Sequence, residues 1–87
     1  MTAWSFSRSP HTLDLIGGLP LEGQLALLDL IDKLESGPGP HTTAFGEDDG
    51  LTRTAVFGDQ AQGILIVFVN EDTRRITPLQ ITWNDVG

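Results

Sequence analysis

Residues 64–69 read ILIVFV, apolar at every position, and are bounded by Gly63 on one side and by Asn70, Glu71, Asp72 and Thr73 on the other. Six residues cannot span a bilayer as a helix, which takes about 20. The run is also short for a buried helix, and it is rich in β-branched and aromatic residues, so it reads as a strand. A strand open to water on one side alternates apolar with polar residues. This one does not alternate, which predicts a strand that is central in a sheet or covered on both faces. The rest of the chain has to supply its neighbours and its cover.

The neighbours are adjacent in sequence. Residues 51–57, LTRTAVF, form a β-branched strand pattern, and Gly58-Asp59-Gln60 begins a turn that ends at Gly63. After the polar turn at 70–73, RRITPLQITW (residues 74–83) resumes as a strand with Leu79, Ile81 and Trp83 on one face. Pro78 cannot donate to a ladder, so it marks an edge position or a bulge. Near the start, AWSFSR (residues 3–8) alternates Trp4 and Phe6 with serines, a half-buried strand pattern.

The cover comes from two helices. Ser9-Pro10 reads as an N-cap followed by proline at the first helical position, and the short helix through Leu13 and Ile16 stops at Gly17-Gly18. Pro20 opens PLEGQLALLDLIDKLES, where Leu21, Leu25, Leu28 and Ile31 or Asp32 fall along one line. Leu27, Leu30, Ile31 and Leu34 widen that stripe, and Glu22, Asp29, Asp32 and Glu35 fall mostly opposite it. Gly23 weakens the first turns slightly, and Gly37-Pro38 ends the helix. The Gly-Gly-Leu-Pro step predicts an αα-hairpin. Residues 41–50, HTTAFGEDDG, read as a loop. The expected architecture is an α+β fold of order βααβββ, with a helical hairpin packed on a small antiparallel sheet, as a single domain over residues 1–87.

Composition narrows the function classes. The 87 residues include no cysteine, which excludes disulfides and cysteine-ligated metal and is compatible with a reducing cytoplasm. No signal peptide and no membrane span are visible, so a cytoplasmic location is expected. Twelve acids against five bases give a net charge of −7. Nucleic-acid affinity rests largely on cations neutralising phosphates, so strong binding to nucleic acid is not expected. A protein partner is expected, and a second copy of the chain is among the candidates.

Arg53, Arg74 and Arg75 are the candidates for a phosphate or catalytic site, because arginine forks match phosphate oxygens. The plainer reading is a solvated strand surface whose charge discourages edge pairing. Trp4 and Trp83, on the terminal strands, are candidate partner anchors, against the plainer reading of core aromatics. His11, which could pair with Asp14, and His41 have no third histidine to complete a usual zinc set. Residues 46–50, GEDDG, carry consecutive acids without the alternate ligands and distal glutamate of an EF-hand, so they read as an acidic turn rather than a metal site. No nucleophile elbow, P-loop or dinucleotide fingerprint is present. No metal and no cofactor are expected.

Taken in order, WSFSRSP, LIGGLP, DKLESGPGP, LTRTAVFGD, GILIVFVNED and RRITPLQITW resemble the RelE/ParE toxin superfamily over nearly the whole chain. The resemblance implies a small βααβββ toxin fold, with an antitoxin or a cellular target as protein partner. In the ribosome-dependent nucleases of that superfamily, basic residues on the central strands, with an arginine and a tyrosine near the C-terminus, cleave mRNA. Arg53 fits the basic residue of the first meander strand. AQGILI carries no base where the second strand usually has one, ITWNDVG stands where the arginine and tyrosine are expected, and the chain has no tyrosine. The expectation is therefore a divergent toxin-fold protein that binds protein and lacks most of the ribonuclease site. Two alternatives remain: a divergent ribosome-dependent mRNA endonuclease that uses Arg53, Arg74 and Arg75, and a non-toxic structural or assembly protein sharing the architecture, as in a phage or mobile element.

Overall fold

The computed structural model describes residues 4–45 and 51–84. The acidic stretch 46–50 lies outside the described residues. In chain order the elements are β1 (Ser5–Phe6), α1 (Pro10–Gly17), α2 (Leu21–Ser36), a 3-10 turn (Gly39–His41), β2 (Thr43–Ala44), β3 (Thr52–Phe57), β4 (Gly63–Asn70) and β5 (Arg75–Trp83). The α+β class and the helical hairpin are as expected. The short strand β2 falls in what reads as a loop, and it completes a five-stranded sheet of order β1-β5-β4-β3-β2. β1 lies parallel to β5, whereas the other pairings are antiparallel. The parallel pair follows from connectivity, because both helices and the rest of the sheet intervene between its strands.

Local chemistry sets the helix ends. The Ser9 hydroxyl accepts from the Thr12 N–H at 3.4 Å, and Pro10 occupies the first turn, where its missing donor costs nothing. Glu35, near the end of α2, ties β1 to the helix. Its carbonyl accepts from Trp4 N–H at 3.2 Å, and its carboxylate accepts from Phe6 N–H at 3.1 Å. At the β4–β5 turn, Asn70 Oδ1 accepts from the N–H groups of Asp72 and Thr73 at 3.0 and 3.2 Å, an Asx-type turn.

The core lies between the helices and one face of the sheet. Leu27, Leu30, Ile31 and Leu34 of α2 meet Phe6, Ala55, Phe57, Leu65, Val67, Val69 and Ile76. Each fully buried aliphatic side chain contributes about 1.5–3 kcal/mol before entropy is charged against it. The helix stripe is rotated from the expected line. Leu21, Leu25 and Leu28 are exposed, and the buried line begins instead at Gly23. The reason is tertiary. A Cβ at Gly23 would stand 3.2–3.3 Å from the Trp83 indole, so the absent side chain makes room for α2 to approach β5 there.

β4 is central, as its composition requires, but it is not covered on both faces. Ile64 and Phe68 are exposed, because both helices pack on the opposite face of the sheet. Opposed residues share a face, so Thr54, Ile66 and Gln80 form one row of this open side and Val56, Ile64 and Thr82 another. A bulge at Ile66/Val67 shifts the β4–β5 register, pairing Ile66 with Gln80 and Val67 with Pro78. The extra residue changes the phase of β5. Ile76 and Pro78 are buried before it, Ile81 and Trp83 pack against the core after it, and Leu79 is exposed rather than sharing their face.

Candidate functional site

The three candidate arginines go to different places. Arg53 lies on the helix-side face of β3, opposite Val67 and Ala44. Its guanidinium turns onto the buried Thr42: Nε donates to the Thr42 hydroxyl and Nη2 donates to the Thr42 carbonyl at 3.1 Å. The same hydroxyl donates to the Pro38 carbonyl at 2.7 Å. Arg53 thus ties β3 to the segment that follows α2. A charge-assisted bond of this kind contributes about 1.5–3 kcal/mol. Arg53→Ala is expected to leave the fold intact and to speed amide exchange at Thr43 and Phe45, whose N–H groups face β3, by roughly tenfold or more, as hydrogen-exchange NMR would show. Unchanged protection there would mean that the tie is not structural.

Arg74 stacks its guanidinium over the Trp4 ring at 5.3 Å, a cation–π contact, from a backbone held at φ 56°. Arg75 points the other way. Its neighbour Ile76 is buried on the helix side, so alternation directs Arg75 to the open face, where it borders a shallow depression with Ser5, Ser7 and Arg8. Arg53 and Arg74 are thus brought to the surroundings of Trp4, and Arg75 is not. Trp4, Arg53, Glu71, Leu51, Val69 and Pro38 line a cavity of about 180 Å³.

Trp83 sits between α2 and the β3–β4 turn. It contacts the Phe57 ring at a centroid distance of 5.7 Å, and its edge lies where Cβ atoms on Gly23 and Gly58 would be. Its Nε1–H is buried without a hydrogen-bond partner among the described residues. An orphan donor of this kind costs about 1–3 kcal/mol. His11 and His41 are exposed. Among the described residues no group of three or more His, Cys, Asp or Glu is placed to hold a metal ion. No helix among them is long and apolar enough to cross a membrane.

A larger concavity, about 560 Å³, runs between α2 and the end of β3. Leu25, Ala26, Leu30, Val56 and Phe57 supply apolar lining, and Glu22, Asp29, Asp59 and Lys33 supply the charge. Lys33 Nζ lies 3.2 Å from an Asp29 carboxylate oxygen. Sequence reasoning about sites did not reach this groove. The available signal was excess: α2 carries more leucines than one buried face can absorb, and of the exposed surplus at Leu21, Leu25 and Leu28 it is Leu25 that lines the groove.

No family model matches the chain, and no curated protein matches its sequence. Among solved structures, a chain of the RelBE2 toxin–antitoxin complex from Mycobacterium tuberculosis superposes with a TM-score of 0.78 at 12% identity, over 95% of this chain and 100% of that one. The fold is RelE-like. At this identity the likeness establishes architecture, and function has to be argued from the residues present.

Proposed function

We propose that this RelE-like chain is a toxin-fold protein of a toxin–antitoxin-like system, that it acts by binding protein in the cytoplasm, and that it does so without ribonuclease chemistry. The observation that carries the proposal is the Arg53–Thr42 tie. The cation that best matches the superfamily's basic position has donors committed to its own backbone and hydroxyl neighbours. Arg74 is stacked on Trp4, and Arg75 faces the other side of the sheet. Cleavage through a 2′-hydroxyl needs a placed proton acceptor and cations aimed at the developing charge. A chain of net charge −7 also lacks the general attraction that nucleic acid requires. The solved RelE-like neighbour comes from a toxin–antitoxin complex, and exposed leucines on α2 offer surface to a protein partner.

Induced expression in a bacterial host, with growth and total mRNA integrity scored together, tests this reading. Growth arrest with intact mRNA is the expected result. Arrest with cleaved mRNA, relieved by Arg53→Ala in a folded variant, would establish the endonuclease reading instead. Normal growth would favour a structural or assembly role.

A further inference from the structure

We infer that the open face of the sheet is a self-association surface, on which a second copy of this chain stacks its own open face about a two-fold axis running along β4. The inference goes beyond the protein-binding reading above and does not depend on it.

Charge is the first observation. None of the twelve acids lies in a strand. Among the described strand residues on the open face, Arg75, at its border, is the one charged side chain. Two chains of net charge −7 repel each other, and this face lets them meet without bringing carboxylates together. Pattern is the second observation. Ile64, Ile66 and Phe68 of β4 run down the middle of the face, and their flanks match. Phe68 lies between Thr52 and Thr77, Ile66 between Thr54 and Gln80, and Ile64 between the β-branched Val56 and Thr82. A two-fold axis along β4 lays the apolar column of one copy on that of the other and brings β3 of one over β5 of the other. Thr52 then faces Thr77, and Thr54 faces Gln80. An isologous contact requires such self-complementarity, and hydroxyls, which both donate and accept, face one another without conflict.

Size agrees with the same occupant. Val56, Ile64 and Phe68 are exposed, so the face has apolar area left to bury. Strands about 4.8 Å apart that rise about 3.3 Å per residue give this sheet a face of roughly 20 by 25 Å. Two such faces stacked hide on the order of 1,000 Å² in total, the lower bound of a specific interface. The pair is therefore expected to be reversible rather than permanent. A single helix, about 10 Å across, would cover the β4 column and leave the flanking threonines wet. A second sheet matches the full width.

The test is analytical ultracentrifugation of the full chain over a roughly hundredfold concentration series, which mass action requires to shift a reversible dimer. The mean mass is expected to rise from monomer towards dimer. Raising salt from about 50 to about 300 mM should strengthen association, because screening removes repulsion between two like-charged chains. Val56→Glu and Ile64→Glu should each weaken it by roughly tenfold or more, since a carboxylate then enters the contact with no cation opposite, and at position 64 it meets its own copy. Leu28→Glu, at an exposed leucine of α2, should leave it unchanged. Thermal melts check that the variants fold. If Ile64→Glu lowers the melting temperature, Val56→Glu, at the more exposed position, carries the test. A monomer at every concentration, a dimer that survives Val56→Glu, equal loss with Leu28→Glu, or association that weakens as salt rises would each overturn the inference. So would a monomer whose open-face amides shift on adding a capped amphipathic helical peptide of leucine and glutamine, which would assign the face to a helix of another protein. Growth and mRNA integrity bear on the proposed function alone, so the two readings fail separately.

Discussion

Leu27→Ala is expected to cost about 2–5 kcal/mol of stability, and Leu28→Ala, one residue further along the same helix, no more than about 0.5 kcal/mol. Leu27 is 0% exposed and Leu28 is 48% exposed. Truncating Leu27 removes buried methyl and methylene groups and leaves a cavity in a core cluster whose other members, Leu30, Ile31 and Leu65 among them, are themselves buried and cannot collapse freely into the space. Truncating Leu28 removes surface that water already reaches. In a domain of this size about 1 kcal/mol moves the melting temperature by about 4–8 °C, so the two variants should separate by on the order of 10 °C or more in a thermal melt. If they melted together, the rotation of the α2 stripe towards Gly23 described above would be wrong.

Gly63→Ala carries the second large effect. In an ordinary strand, alanine in place of glycine stabilises by about 0.5–1 kcal/mol, because the unfolded chain loses freedom. Here a Cβ would lie 2.4–2.5 Å from three atoms of the Phe57 ring, which spreads over Gly63 from the opposing strand position. The ring is buried and cannot swing away without displacing Trp83, which is itself pressed against Gly23 and Gly58. Overpacking costs typically about 1–3 kcal/mol, so the sign reverses and Gly63→Ala destabilises. Adding Phe57→Leu to Gly63→Ala should cost clearly less than the sum of the two single variants, since the clash exists only when both the Cβ and the ring are present. Additive losses in urea denaturation would count against the stacked arrangement.

How legible these features were in the sequence differs by kind. The Ser9-Pro10 helix start, the αα-hairpin at Gly17–Pro20 and the central position of β4 follow from local chemistry, and each is found where its residues put it. The phase of β5 was not legible, because Leu79, Ile81 and Trp83 alternate in sequence while a bulge, set by pairing with β4, separates Leu79 from the other two. The candidate site shows the same division. Arg53 could be singled out as a strand cation, but its bonds to Thr42 depend on how residues 38–45 fold back. The groove was less visible still. Its apolar and acidic walls come from α2 and from the end of β3, more than 20 residues away in sequence, and neither wall is a motif by itself.

By itself the sequence determined the class of the fold, the order of its main elements and the acidity of the chain. These depend on periodicity, capping, turn chemistry and net charge, all of which are properties of neighbours along the chain or of its sum. Only the tertiary structure decided which leucines of α2 are core and which are surface, which face of the sheet is open and where the arginines aim. Those outcomes turn on pairs distant in sequence, as Gly23 with Trp83, or on how a segment folds back, as Thr42 does onto Arg53. Whether two such residues meet is set by the packing of whole elements, which no local pattern encodes.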